Sequence, residues 1–214
     1  MGERLTRRAQ QNNCLHEIFF DQAIELAESL DTHLVDNKTV VGPLHGLPVS
    51  LKDQFHVKGV DTTMGYVGWI GGNLGVKHGQ THKVESQITR ELLALGAVLY
   101  CKTSLPQTLL FGETKNNVIG QTLNPRNQNL SCGGSSGGEG ALQALRGSTL
   151  GVGTDSMYRA RLPNPYPYPL PLIPSAPGVG LWLMLPVSWW LCPDPRRLQW
   201  HLLPQADARA FIIS

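Results

Sequence analysis

Apolar positions change their spacing along the chain, and each change marks an element. After Asp21 come Ile24, Ala27 and Leu30, spaced for one helix face, which predicts a helix over 21–30 with Asp21 as its N-cap. Ser86 followed by Ile88, Leu92 and Leu95 predicts a second helix over 86–95, with Gly96 in the C′ position that stops it. Ala and Leu recur at helical spacing over 138–145, so a third helix starts there. Two apolar runs too short for helices predict strands over 49–52 and 98–102. Residues 59–83 are rich in glycine and predict a loop. Alternating helix and strand places the chain in the α/β class, and no internal repeat is present.

Beyond residue 155 these periods disappear. Pro163, Pro165, Pro167, Pro169, Pro171 and Pro174 come nearly every second residue, with leucine and tyrosine between them. Four of the five tryptophans follow, all but Trp69. A proline run favours extended polyproline II and cannot build a central strand. The apolar stretch over 181–192 is interrupted by Pro186 and is too short to span a bilayer. The organisation expected is a folded part over 1–155 and an irregular Pro/Trp-rich tail over 156–214.

Composition narrows the function. The 214 residues suit one domain, and a net charge of +2 without a basic run leaves no electrostatic footprint for nucleic acid. Cys14, Cys101, Cys132 and Cys192 are scattered with no C-x-x-C, which points to reduced thiols of a cytoplasmic protein rather than disulfides or zinc. The N-terminus is charged and has no apolar core, so no secretory signal is read there. His78 and His82 stand four apart, but Gly79 weakens a helix between them and no carboxylate cluster accompanies them. A solvated loop is expected there, not a metal site.

The candidate chemistry lies in two segments. Gly133-Gly134-Ser135-Ser136-Gly137-Gly138-Glu139 is a loop in which backbone can approach another group closely, just ahead of a helix N-terminus. It suits a catalytic serine, a phosphate cradle or a plain turn. A phosphate loop would carry lysine after the glycines; Glu139 stands there and would repel the anion. In the second segment, Pro48-Val49-Ser50-Leu51-Lys52 is an apolar strand ending in lysine. Burial would lower that lysine's pKa and make it a general base; a surface lysine is the plainer alternative.

Together the segments resemble the amidase signature family, and most nearly its fungal acetamidase and general amidase branch. The resemblance covers residues 13–155. It rests on Gly42-Pro43-Leu44-His45-Gly46-Leu47-Pro48-Val49-Ser50-Leu51-Lys52-Asp53, on Leu95-Gly96-Ala97-Val98, on Asn124-Pro125 and on the serine loop. It implies the N-terminal part of a mixed β-sheet flanked by helices, hydrolysis of small-molecule carboxamides, and no cofactor or metal. It implies a Ser-Ser-Lys mechanism, with Lys52 as base, Ser135 as the bridging serine on a cis peptide and Ser136 as a supporting hydrogen-bonder. Gly134, Thr154 and Asp155 then belong to the substrate-binding surround. The family continues Gly-Thr-Asp-Ile-Gly-Gly-Ser, ending on the nucleophile. Here Gly153-Thr154-Asp155 is followed by Ser156-Met157-Tyr158-Arg159, so Arg159 stands where the nucleophile belongs. Arginine cannot be deprotonated to attack, and Met157 and Tyr158 crowd a turn built for glycine.

Two expectations follow from that break. The chain reads as a hydrolase by descent that is inactive as written, the alternative being a non-catalytic fragment or pseudoenzyme that binds. The tail reads as disordered or as translated intron, because Ser156-Met157-Tyr158 can be encoded with GTATGT, a sequence typical of a fungal intron's 5′ boundary. Family members are much longer, so this chain would expose apolar sheet edges and be marginally stable.

Overall fold

The computed structural model describes residues 9–72 and 84–154, and the backbone alone of 155, 172–174 and 180–184. His78, His82, Cys192 and the stretch 156–159 lie outside the described residues.

A six-stranded mixed sheet organises the chain. Its strands are β1 (Leu15–Ile18), β2 (Pro48–Lys52), β3 (Val98–Thr103), β6 (Leu150–Asp155), β7 (Leu172–Pro174) and β8 (Gly180–Met184), in the order β1-β3-β2-β6-β8-β7. A two-stranded ribbon of β4 (Lys115–Asn116) and β5 (Gly120–Gln121) stands apart. β3, β2 and β6 run parallel at the centre, while β1, β8 and β7 add antiparallel pairings. The helices are α1 (Phe20–Asn37), α2 (Gln87–Ala94) and α3 (Gly137–Ala144).

Parallel strands bury both faces, and period-two alternation assigns their side chains. Val49 and Leu51 of β2 join Leu99, Leu150, Val152, Ile88 and Leu92 in the main core. Ser50 and Lys52 point the other way. In register with them on β3 are Cys101 and Thr103. Cys101 packs with Ala141 and Leu142 of α3, which covers this second face.

α1 departs from its expected bounds. Phe19 occupies the N-cap position, Asp21 lies in the first turn, and the helix runs seven residues past Leu30. No Gly or Pro interrupts 31–41, so nothing in the chain stops it until Lys38 turns left-handed at φ 55°. Ala23 and Leu30 form its buried face, and Ile24 points outward with 55% of its surface exposed. α2 matches its expected bounds closely. Gly96 adopts φ +87°, its N–H bonds the Leu93 carbonyl, and a Cβ there would meet the His45 backbone at 2.8 Å. Ser86 is the N-cap residue but makes no side-chain cap bond. Its hydroxyl instead accepts the His56 N–H at 2.8 Å. The glycine-rich segment contains a kinked 3-10 turn at Val67–Gly72. Two short pieces of the Pro/Trp-rich tail, β7 and β8, enter the sheet. Gly180–Met184 contains no proline, so every residue of β8 keeps its N–H for the ladder.

Candidate active site

The candidate residues converge where the C-terminal end of β2 meets the N-terminus of α3. Lys52 is the last residue of β2 and has no exposed surface. Its Nζ donates to Ser135 Oγ at 2.7 Å and to Thr154 Oγ1 at 2.9 Å, with the Thr154 carbonyl at 3.5 Å. Residues 83 and 102 positions away in the chain thus meet on one buried lysine Nζ. The Thr154 hydroxyl in turn donates a hydrogen bond to Gln54 Oε1 at 2.8 Å.

The serine loop is held from both sides. The peptide bond between Gly134 and Ser135 is cis. Gly134 sits so close to Phe111 and Glu113 that a Cβ would lie 3.1 Å from their backbone. The Ser136 hydroxyl donates to the Thr154 carbonyl at 2.8 Å and accepts the Thr154 N–H at 3.1 Å, which ties the loop to β6. The Thr114 hydroxyl donates to the Gly133 carbonyl at 2.7 Å and accepts the Gly137 N–H at 3.1 Å. The backbone of Asp155 closes β6 opposite Gly180.

Glu139 is the residue whose part the sequence did not reveal. Ser136 and Glu139 stand at capping-box spacing, but Ser136 makes no side-chain cap bond. The Glu139 carboxyl turns to the sheet, is fully buried, and accepts from Ser50 Oγ at 2.8 Å and Thr103 Oγ1 at 3.0 Å. Burial pushes it up to about 7, against the pull of those two hydroxyls and of the Lys52 charge. Its signal in the sequence was the S-x-x-E spacing. The 89 positions between Ser50 and Glu139 hid the destination.

A second buried cluster occupies the other face. Asp53 Oδ1 lies 3.1 Å from Lys102 Nζ, and Asp53 Oδ2 lies 3.4 Å from His16 Nδ1 and accepts the Met64 N–H at 2.7 Å. Lys102 also donates to the Asp61 carbonyl and to Thr62 Oγ1, both at 2.7 Å. Burial alone would raise Asp53, but the hydrogen bond with His16 and the Lys102 charge outweigh it and hold the carboxyl below its ordinary range. Burial pulls Lys102 down while the Asp53 charge pulls it back.

Cys14, Cys101 and Cys132 are free thiols. Burial pushes Cys132 and Cys14 up to about 12 each, so neither is a thiolate near neutrality. Among the described residues no group of three His, Cys, Asp or Glu side chains could hold a metal ion. Nor is any described helix long and apolar enough to cross a membrane.

The Amidase family model matches residues 1–157. An acetamidase of Emericella nidulans is 49% identical over 166 residues, which are 78% of this chain and 29% of that protein. An acetamidase of Aspergillus oryzae is 50% identical over 151 residues, 71% of this chain and 26% of that protein. Among solved structures, a fatty acid amide hydrolase superposes with a TM-score of 0.61 at 41% identity, covering 72% of this chain and 26% of its own. A bacterial aryl acylamidase of the amidase signature family gives 0.63 at 27% identity, covering 72% and 30%. The chain therefore spans less than a third of the length of these relatives.

Proposed function

The chain belongs to the amidase family, and we propose that its described part is the base half of a carboxamide hydrolase of the Ser-Ser-Lys type. The observation that carries this reading is the 2.7 Å contact of a fully buried Lys52 Nζ with Ser135 Oγ. A lysine held among hydroxyls can take a proton from one of them. In the proposed reaction neutral Lys52 accepts the Ser135 proton, and Ser135 accepts the proton of a nucleophilic serine as that serine's oxygen attacks the amide carbonyl. The protons return along the same route to the departing amine. Water, activated by the same relay, then splits the acyl-enzyme to acid and free serine. Ser136, Gly134, Thr154 and Asp155 surround the site and support substrate placement. Small-molecule carboxamides are the substrate class we propose, with acetamide the probe suggested by the names of the two fungal relatives.

As written, the chain carries Arg159 at the nucleophile position. That single residue favours the second reading, a non-catalytic fragment or pseudoenzyme that binds without turning over. The test compares two proteins for release of ammonia from acetamide. One is the 214-residue chain. The other has 156–159 replaced by Ile-Gly-Gly-Ser and is extended by the C-terminal part of the Emericella nidulans acetamidase. Turnover by the second alone supports descent and inactivity together. If both stay silent while the extended protein is folded, the hydrolase reading is wrong. Sequencing the transcript across the Asp155 codon is the companion test. A spliced product reading Ile-Gly-Gly-Ser would place 156–214 outside the functional protein.

A further inference from the structure

Glu139 lies four residues after Ser135, in the helix that the serine loop opens, yet its carboxyl reaches into the strand that carries Lys52. Ser50 precedes Lys52 by two residues and shares its face of β2. Thr103 stands opposite Lys52 in the β2/β3 register. The two hydroxyls that grip Glu139 therefore flank Lys52 on its own strand and on its neighbour. Space for the carboxyl exists because residue 151 is glycine: a Cβ there would collide with Glu139 Oε2 and lie 2.5 Å from Gln143 Nε2.

The groups facing Glu139 come from each element packed on α3. β2 brings Lys52; β3 brings Cys101 and Tyr100; the residue before β1 is Cys14. β6 ends in Asp155, and β8 has no titratable side chain in its sequence. Burial raises both thiols and the phenol well above neutrality, so they stay uncharged there. Lys52 is the cation that the Glu139 carboxyl feels among these groups.

We propose that Glu139 is the positioning residue of the pair formed by Lys52 and Ser135: it ties the helix that follows the Ser135 loop to the strand that bears Lys52, and its gain or loss of a proton sets the charge that Lys52 faces. The proposal rests on Lys52 being the base of the reaction proposed above. It adds a control element to that base. With the carboxyl protonated, a neutral Lys52 faces no opposing charge; with it ionised, the cationic form of Lys52 is favoured.

The test uses the full 214-residue chain with lysine carrying 13C at Cε, and reads the Lys52 resonance from about pH 5 to about pH 9. K52M assigns the signal. The expected result is a step in the Lys52 shift near pH 7, where Glu139 titrates, and loss of that step in E139Q. S50A removes a hydroxyl that favours the ionised carboxyl, so it moves the step to higher pH; it decides the matter if E139Q does not fold. A Lys52 signal flat through this range in the unmodified chain, a step unchanged in E139Q, or a step unmoved in S50A overturns the proposal. A merely structural Glu139 would alter stability without moving this signal. Because the readout needs no turnover, a silent amide assay and a missing step are separate failures.

Discussion

Two lysines with no exposed surface stand on adjacent parallel strands and face opposite sides of one sheet. Lys102 meets a carboxylate at 3.1 Å, a carbonyl and a threonine hydroxyl. Lys52 donates to the hydroxyls of Ser135 and Thr154. The carboxyls on the two faces differ in the same way. Asp53 is held ionised by His16 and Lys102, whereas burial lifts Glu139 towards neutrality. One face is a closed ion pair that fixes charge in place. On the other, a lysine stands among hydroxyls. The same residue type, at the same depth and in successive positions of the sheet, meets a fixed counter-charge on one face and neutral hydroxyls on the other.

The largest effect tests that division directly. K102M leaves the Asp53 carboxylate buried without its cation, and breaking such a pair costs about 3–5 kcal/mol. K52M leaves two hydroxyls short of one donor, at about 1–3 kcal/mol. Urea denaturation of the full chain should therefore show K102M much the weaker variant. In the extended, repaired protein the order inverts for turnover, where loss of the base lowers kcat by about 10²–10⁴. Equal stability losses from the two substitutions would erase the comparison.

Next comes pH, where the two carboxyls have opposite signs. Glu139 rises in the folded state from 4.5 to about 7. Its contribution to stability is fully present below about pH 4.5 and is lost as pH rises through about 7, a change of about 3 kcal/mol. Asp53 is depressed from 3.8, so its contribution is present above that value and is lost only as pH falls below it. Between about pH 4.5 and 7, then, Glu139 drives stability down, and Glu17, which burial also lifts above its ordinary value, adds to the fall. E139Q should reduce this slope in a series of melts, and D53N should leave it intact. A slope unchanged in E139Q would assign it elsewhere.

G151A is a smaller perturbation of the same face. Its new methyl collides with a Glu139 carboxyl that two hydroxyls hold in place, and overpacking of this kind costs about 1–3 kcal/mol. The loss should be partly relieved in the double variant with E139A. Additive losses would mean that Gly151 and Glu139 do not share the space.

Sequence reasoning named the candidates of one face, Lys52 and Ser135, and none of the cluster on the other. Lys52 was legible because an apolar strand ended in it, and Ser135 because glycines flanked it. Gly96 was legible because a helical period stopped there. These are local signals. Glu139 was legible only as a charge that would repel phosphate; its true partners come from β2 and β3, which no local pattern encodes. The cluster of Asp53, Lys102 and His16 was invisible for the same reason, since three strands or turns must assemble before it exists. α1 exceeds its expected bounds because its burial lies on Ala23 and Leu30 and not along Ile24, and because no Gly or Pro follows Leu30 before Gly42.

Ser86 gives the smallest effect and sharpens the other side of the comparison. The residue sits at the head of α2, where a serine ordinarily bonds its own helix. Here its hydroxyl accepts the His56 N–H, and its own N–H donates to the His56 carbonyl at 3.0 Å. The turn it holds begins at Asp53, one residue past Lys52, and its Phe55 N–H bonds the Lys52 carbonyl at 3.0 Å. S86A should therefore cost about 1 kcal/mol, the usual net value of one hydrogen bond. The damage should appear in hydrogen exchange as faster exchange of the His56 amide, with the first turn of α2 unchanged. Loss of protection in α2 instead would make Ser86 an ordinary cap and detach it from the ion-pair face. If His56 alone responds, the turn after β2 is anchored from the Asp53 side while Lys52 stays in contact with hydroxyls. That is the arrangement the proposed base role of Lys52, next to the Asp53–Lys102 ion pair, requires.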